Sequence, residues 1–100
     1  MRSRLTLRQL RYVCEVARLQ NVLAASRALG ISTSSILAAI DAAEHEAGTR
    51  IFNRFPAKGI RITPAGSRFV AAAARLLAAE TEFARATSDI SARIPDPLRI

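Results

Sequence analysis

A chain of 100 residues, half of them apolar, carries a formal net charge of +7 from 15 basic and 8 acidic side chains. That length allows one small domain; the apolar content excludes a disordered polyelectrolyte, and no apolar run approaches the ~20 residues of a bilayer span. The single cysteine, Cys14, excludes an internal disulfide framework and any multi-cysteine metal site.

The basic charge is segregated. Arg2, Arg4, Arg8 and Arg11 precede the first acid, Glu15, and Arg50, Arg54, Lys58, Arg61, Arg68 and Arg75 occupy a stretch without an acid between Glu46 and Glu80. Clustered cations on a small domain create a positive face for polyanions, though a solvated basic surface has the same composition. The N-terminus is basic without the apolar segment of a signal peptide, so the expected compartment is the cytoplasm.

In chain order, Thr6-Leu7-Arg8-Gln9 has the form of a capping box. Leu7, Leu10, Val13, Cys14, Val16 and Ala17 then recur at helical steps, which predicts an amphipathic helix to about Leu19 with Cys14 in the core. Asn21 caps a short second helix, Val22 to Leu29, stopped by Gly30. Ser32 caps a third, Thr33 to about Ala47, with Ile36, Ile40, Ala43 and Ala47 inward and Gly48 at its end. Two helices joined by so tight a glycine turn, over about residues 22–41, outline a helix-turn-helix.

Residues 50–53 and 59–63 are short, alternating or β-branched, and the turn-rich link from Arg54 to Gly59 joins them, which predicts a β-hairpin wing. Thr63-Pro64 opens a last helix that runs to Ile94, before Pro95-Asp96-Pro97. Along it Phe69, Ala73, Leu76, Glu80, Phe83, Thr87, Ile90 and Ile94 alternate by four and three residues, a coiled-coil seam for a partner helix. Glu80 and Thr87 interrupt this seam and are expected to help fix its register.

The expected fold is therefore mainly α: a winged helix-turn-helix of three helices and a hairpin over 1–63, a dimerisation helix over 64–94, and a hinge over 95–100. Thr33, Ser34 and Ser35 at the start of the third helix are placed to meet phosphates or base edges. Leu37 and Ala38 lie one turn on and are expected to face outward, Leu37 either against a thymine methyl or as filler. Arg50, Arg54, Lys58 and Arg61 bracket the wing, where Lys58 or Arg61 can enter a minor groove; Arg54 is alternatively an ion-pair partner for Glu44 or Glu46. Phe69, Leu76, Phe83, Ile90 and Ile94 form the dimer seam. His45 has no neighbouring ligands for a metal, and no motif for catalysis or nucleotide binding is present, so neither a cofactor nor enzymatic activity is expected.

These residues carry a resemblance. Leu7-Arg8-Gln9-Leu10-Arg11-Tyr12, the Ala24-Ala25 to Leu29 helix, Ile31-Ser32, Glu44 through Gly48, Arg50-Ile51-Phe52 with Arg54, and Arg61-Ile62-Thr63-Pro64-Ala65-Gly66 resemble the N-terminal domain and linker helix of LysR-type transcriptional regulators. The resemblance implies double-stranded DNA as partner, a partly palindromic operator, and a two-fold homodimer with antiparallel linker helices; a tetramer is open for a full-length protein. Pro97-Leu98-Arg99-Ile100 resembles the hinge and opening strand of the family's effector-binding domain, so the chain is expected to be the DNA-binding piece of something longer. It departs from the family where bases are read. Thr33 replaces the family's glutamine, Leu37 and Ala38 replace a serine and a basic residue, and Leu23 and Ala24 replace a threonine and a basic residue. Phosphate contacts position and base contacts specify, so an interaction module that dimerises but reads DNA weakly is the alternative.

Overall fold

The computed structural model describes residues 5–93, and the segments 1–4 and 94–100 lie outside it. Four helices and one hairpin follow in the order α1 (Leu7–Leu19), α2 (Val22–Leu29), α3 (Thr33–Ala47), β1 (Phe52–Phe55), β2 (Gly59–Ile62) and α4 (Pro64–Arg93). This is a winged helix-turn-helix with a long C-terminal helix. Ile94 of the expected seam and the 95–100 hinge lie outside the described residues.

Each helix starts where a side chain satisfies an orphan amide. The Thr6 hydroxyl accepts from the Gln9 N–H at 3.0 Å while the Gln9 side chain accepts from the Thr6 N–H at 3.1 Å. Asn21 accepts from the Ala24 N–H at 2.8 Å, and Ser32 from the Ser35 N–H at 3.1 Å. The turn between α2 and α3 passes through Gly30 at φ 67°. It is closed by an Ile31 N–H to Ser26 carbonyl bond of 3.1 Å, with the Ser26 hydroxyl donating back to the Ile31 carbonyl. That reciprocal pair ties the end of α2 to the start of the connector.

The core gathers Val13 and Val16 of α1, Ala25 of α2, Ile36, Ala39, Ile40 and Ala43 of α3, and Ile51, Phe52 and Ile60 of the hairpin region. Ala47, expected inward, is exposed, because α3 outruns the core before its Gly48 cap. Cys14 is only partly buried; that burial, and then the charge of Glu15, push its thiol above the ordinary value.

The hairpin begins two residues later than its sequence pattern indicates. Ile51 precedes the strand: its carbonyl accepts the Thr63 N–H at 2.9 Å, the bond that closes the Phe52↔Ile62 end of the ladder, while its own N–H goes to the Glu44 carboxylate. Strand pairing runs Phe52↔Ile62, Asn53↔Arg61, Arg54↔Ile60 and Phe55↔Gly59, leaving Pro56-Ala57-Lys58 as the turn. Arg54 and Phe55, read as turn residues, are therefore strand residues.

The helix α4 leaves the domain after a short anchorage. Phe69 and Val70 pack partly buried on the core and Ala73 is buried, whereas every residue from 81 to 92 is exposed. An ion pair between Arg11 of α1 and Glu80 marks the end of the anchored part. No single helix among the described residues is long and apolar enough to cross a membrane.

Candidate nucleic-acid interface

Burial divides α3 into an inner face, Ile36, Ala39, Ile40 and Ala43, and an outer one on which Ser34, Ala38, Asp41 and His45 are exposed in succession. Thr33 and Ser34 at its first turn have hydroxyls without a partner among the described residues, so both are free for an incoming group. Ser35 differs. Its hydroxyl lies 3.0 Å from that of Ser32 and its N–H serves the cap, so it is engaged in holding the helix start. Leu37 also departs from its expected outward placement. It is half-buried and packs on the core, sharing a groove with Asn21, Val22 and Leu23 of the α2 start and with Arg54, Gly59 and Ile60 of the hairpin. This groove joins the helix-turn-helix to the wing.

The wing distributes its cations over both faces. In an antiparallel ladder directly opposed residues share a face. Arg54, opposite buried Ile60, therefore lies on the core side at the groove, while Arg61, opposite Asn53, lies on the outer side. Lys58 stands in the turn and Arg50 leads into the hairpin, both exposed. Among the described residues none of these four cations is in an ion pair; the pairs seen are Arg11–Glu80, Arg18–Glu15 and Arg85–Glu82. Arg54 thus has no bond to Glu44 or Glu46. Arg11, one of the N-terminal cations, is already occupied by Glu80.

What Glu44 does instead was not readable from spacing. Its carboxylate accepts the N–H of Ile51 at 2.9 Å and of Phe52 at 3.3 Å, tying the end of α3 to the base of the wing. The only hint in the sequence is an acid just before a glycine-stopped helix and a strand. Removing one partner of a buried bond strands the other, at about 1–3 kcal/mol. Glu44→Ala is therefore expected to lower stability by that amount in a denaturant titration, and Glu44→Gln by less, since the amide oxygen still accepts. Equal stability of Glu44→Ala and the parent would show the wing base to be held by other contacts.

Together, a free helix start, a groove beside it lined by α2, α3 and the hairpin, and unpaired cations on that hairpin make a surface suited to a polyanion. Residues 7–67 match the family described as bacterial regulatory helix-turn-helix protein, lysR family. Over 70 residues the chain is 43% identical to the HTH-type transcriptional regulator TfdS of Cupriavidus pinatubonensis (strain JMP 134 / LMG 1197), covering 70% of this chain and 23% of that protein. Among solved structures, the BenM_DBD/catB site 1 DNA complex superposes with a TM-score of 0.82 at 26% identity, over 91% of this chain and 100% of that one. The CbnR_DBD–DNA complex does so with 0.79 at 31%, over 89% and 100%. The chain belongs to the lysR family of bacterial regulatory helix-turn-helix proteins.

Proposed function

We propose that this chain is the DNA-binding part of a LysR-type transcriptional regulator, which engages a partly palindromic operator as a homodimer. The observation that carries the reading is an α3 start with unengaged Thr33 and Ser34 hydroxyls together with four wing cations outside any ion pair, of which Arg54 lines the groove beside Leu37. In this reading Thr33, Ser34, Leu37 and Ala38 meet the major groove, Ser35 supports the helix start, and Arg50, Arg54, Lys58 and Arg61 hold phosphates. Residues 64–94 serve as the linker and dimerisation helix, setting two reading heads about one helical turn, ~34 Å, apart. Both solved relatives above are DNA-binding domains in complex with DNA, and they match over nearly all of their length. A cytoplasmic location and the absence of enzymatic activity go with that role.

Counterion release supplies the test. Each neutralised phosphate steepens the fall of log K with log salt by about 0.9. Arg50→Ala combined with Arg54→Ala is expected to weaken binding to all duplexes alike and to flatten the slope by about 1.8, two contacts' worth. A gel-shift salt series in which the slope is unchanged removes both arginines from the interface. A second reading, an interaction module with blunted operator recognition, draws on the apolar residues Leu23, Leu37 and Ala38. It predicts binding that an excess of nonspecific competitor abolishes.

A further inference from the structure

The polar groups with which a helix usually distinguishes bases are missing from the first two turns of α3. Arginine or lysine reads guanine and asparagine or glutamine reads adenine through paired hydrogen bonds. Here the exposed positions offer two small hydroxyls, Thr33 and Ser34, which pair with any base, and the methyl of Ala38. Asp41 follows on the same outer face and repels phosphate, so docking is confined to the turns before it. Beside this face, Leu23 at the start of α2 is 51% exposed. It lines the same groove as half-buried Leu37, with Arg54 at the rim.

Apolar groove walls facing water are unfavourable until something covers them. The surrounding charge says what fits. Arg54 at the rim and Lys58 and Arg61 on the adjoining hairpin are unpaired and positive, which suits an apolar contact embedded in a polyanion rather than a protein helix with its own apolar stripe. In the major groove of a duplex, thymine is the base that presents a methyl group.

We propose that base preference at this surface is carried by thymine C5-methyl groups packing on Leu23, Leu37 and Ala38, with Arg54 gripping the adjacent phosphate. The inference rests on the DNA-binding reading above and extends it to the class of sequence read, thymine-bearing half-sites recognised by methyl contact.

The experiment uses the full chain and a random-sequence duplex library. Sites enriched by repeated selection are resynthesised with deoxyuridine replacing thymidine one position at a time, which removes the methyl and leaves every hydrogen-bonding group intact. Enriched half-sites containing thymine are expected, with an affinity loss of about fourfold for each methyl that is contacted, the factor given by one buried CH₂. Leu37 packs on the core, so the variant of choice is the exposed Leu23→Ser, with helix content checked by circular dichroism. It is expected to bind deoxyuridine and thymidine sites equally at the contacted position. Selected sites that tolerate deoxyuridine throughout, or a Leu23→Ser protein that discriminates as the parent does, would overturn the proposal and give the groove to another occupant. Absence of binding to any duplex at low salt is a different failure, that of the DNA-binding reading itself.

Discussion

Replacing Gly66 with alanine is expected to destabilise the domain by about 3 kcal/mol, the upper part of the usual range for overpacking, although alanine is the better helix former by about 1 kcal/mol. The reason is one close approach. A Cβ at Gly66 would lie 2.1 Å from the Ile51 carbonyl oxygen and 2.9 Å from the Ile62 side chain. The nearer of these is backbone, and it is held: the Ile51 carbonyl accepts from the Thr63 N–H at 2.9 Å and from the Thr63 hydroxyl at 3.2 Å. The same hydroxyl donates to the Arg50 carbonyl at 2.7 Å and accepts the Gly66 N–H at 2.9 Å. Relief therefore requires the start of α4 to move away from the lead-in to the wing, breaking this cluster. For a domain of this size the melting temperature should fall by about 10 °C or more. Ser67→Ala, one residue on and exposed, serves as the control and should melt with the parent. A Gly66→Ala protein that melts like the parent would mean that α4 and the wing are not packed as closely as described.

The elements that the sequence made legible are those decided by neighbours along the chain. Thr6, Asn21 and Ser32 could be named as caps because an N-cap bonds an amide two or three residues away, and Gly30 and Gly48 because a left-handed residue ends a helix whatever lies around it. The misreadings share the opposite property. The ladder starts at Phe52 and not Arg50 because the Ile51 N–H is taken by the Glu44 carboxylate, seven residues back, rather than by the facing strand. Glu44 bonds the wing backbone rather than Arg54, through a contact that periodicity does not encode. Leu37 was read as outward from its helical phase, yet α2 and the wing fold over that flank of α3 and half-bury it. Gly66 belongs to a recognisable motif, but only the packed structure says that the missing Cβ is the point.

A charge in the middle of the exposed stripe on α4 is expected to convert a dimer into monomers that remain folded. Leu76, Phe83 and Ile90 are 50%, 71% and 58% exposed, spaced at sevens along a helix whose residues 81–92 touch nothing in their own chain's core. Large apolar side chains repeating at that interval are the seam of a coiled coil, and monomers rarely leave such a stripe uncovered. Phe69 is partly used by the core, so the free seam begins at Leu76. Of the two polar residues within it, Glu80 is paired with Arg11 of its own chain, and the Thr87 hydroxyl donates to the Phe83 carbonyl at 2.8 Å. The apolar residues suggest one register. Phe83 stands midway between Leu76 and Ile90, so antiparallel two-fold pairing sets the two Phe83 rings together and each Leu76 against the partner's Ile90. Phe83→Glu removes about 1.5–3 kcal/mol of burial from each copy, roughly 3 kcal/mol or more for the pair, and adds two like charges at the axis. The dimer dissociation constant should rise by at least about 100-fold. Glutamate is no worse a helix former than phenylalanine, so circular dichroism should be unchanged while sedimentation velocity reports monomers. DNA binding should weaken in step, since each half-site is then held alone. A parent chain that sediments as a monomer at high concentration, or a Phe83→Glu chain that still sediments as a dimer, would place the interface elsewhere on the molecule.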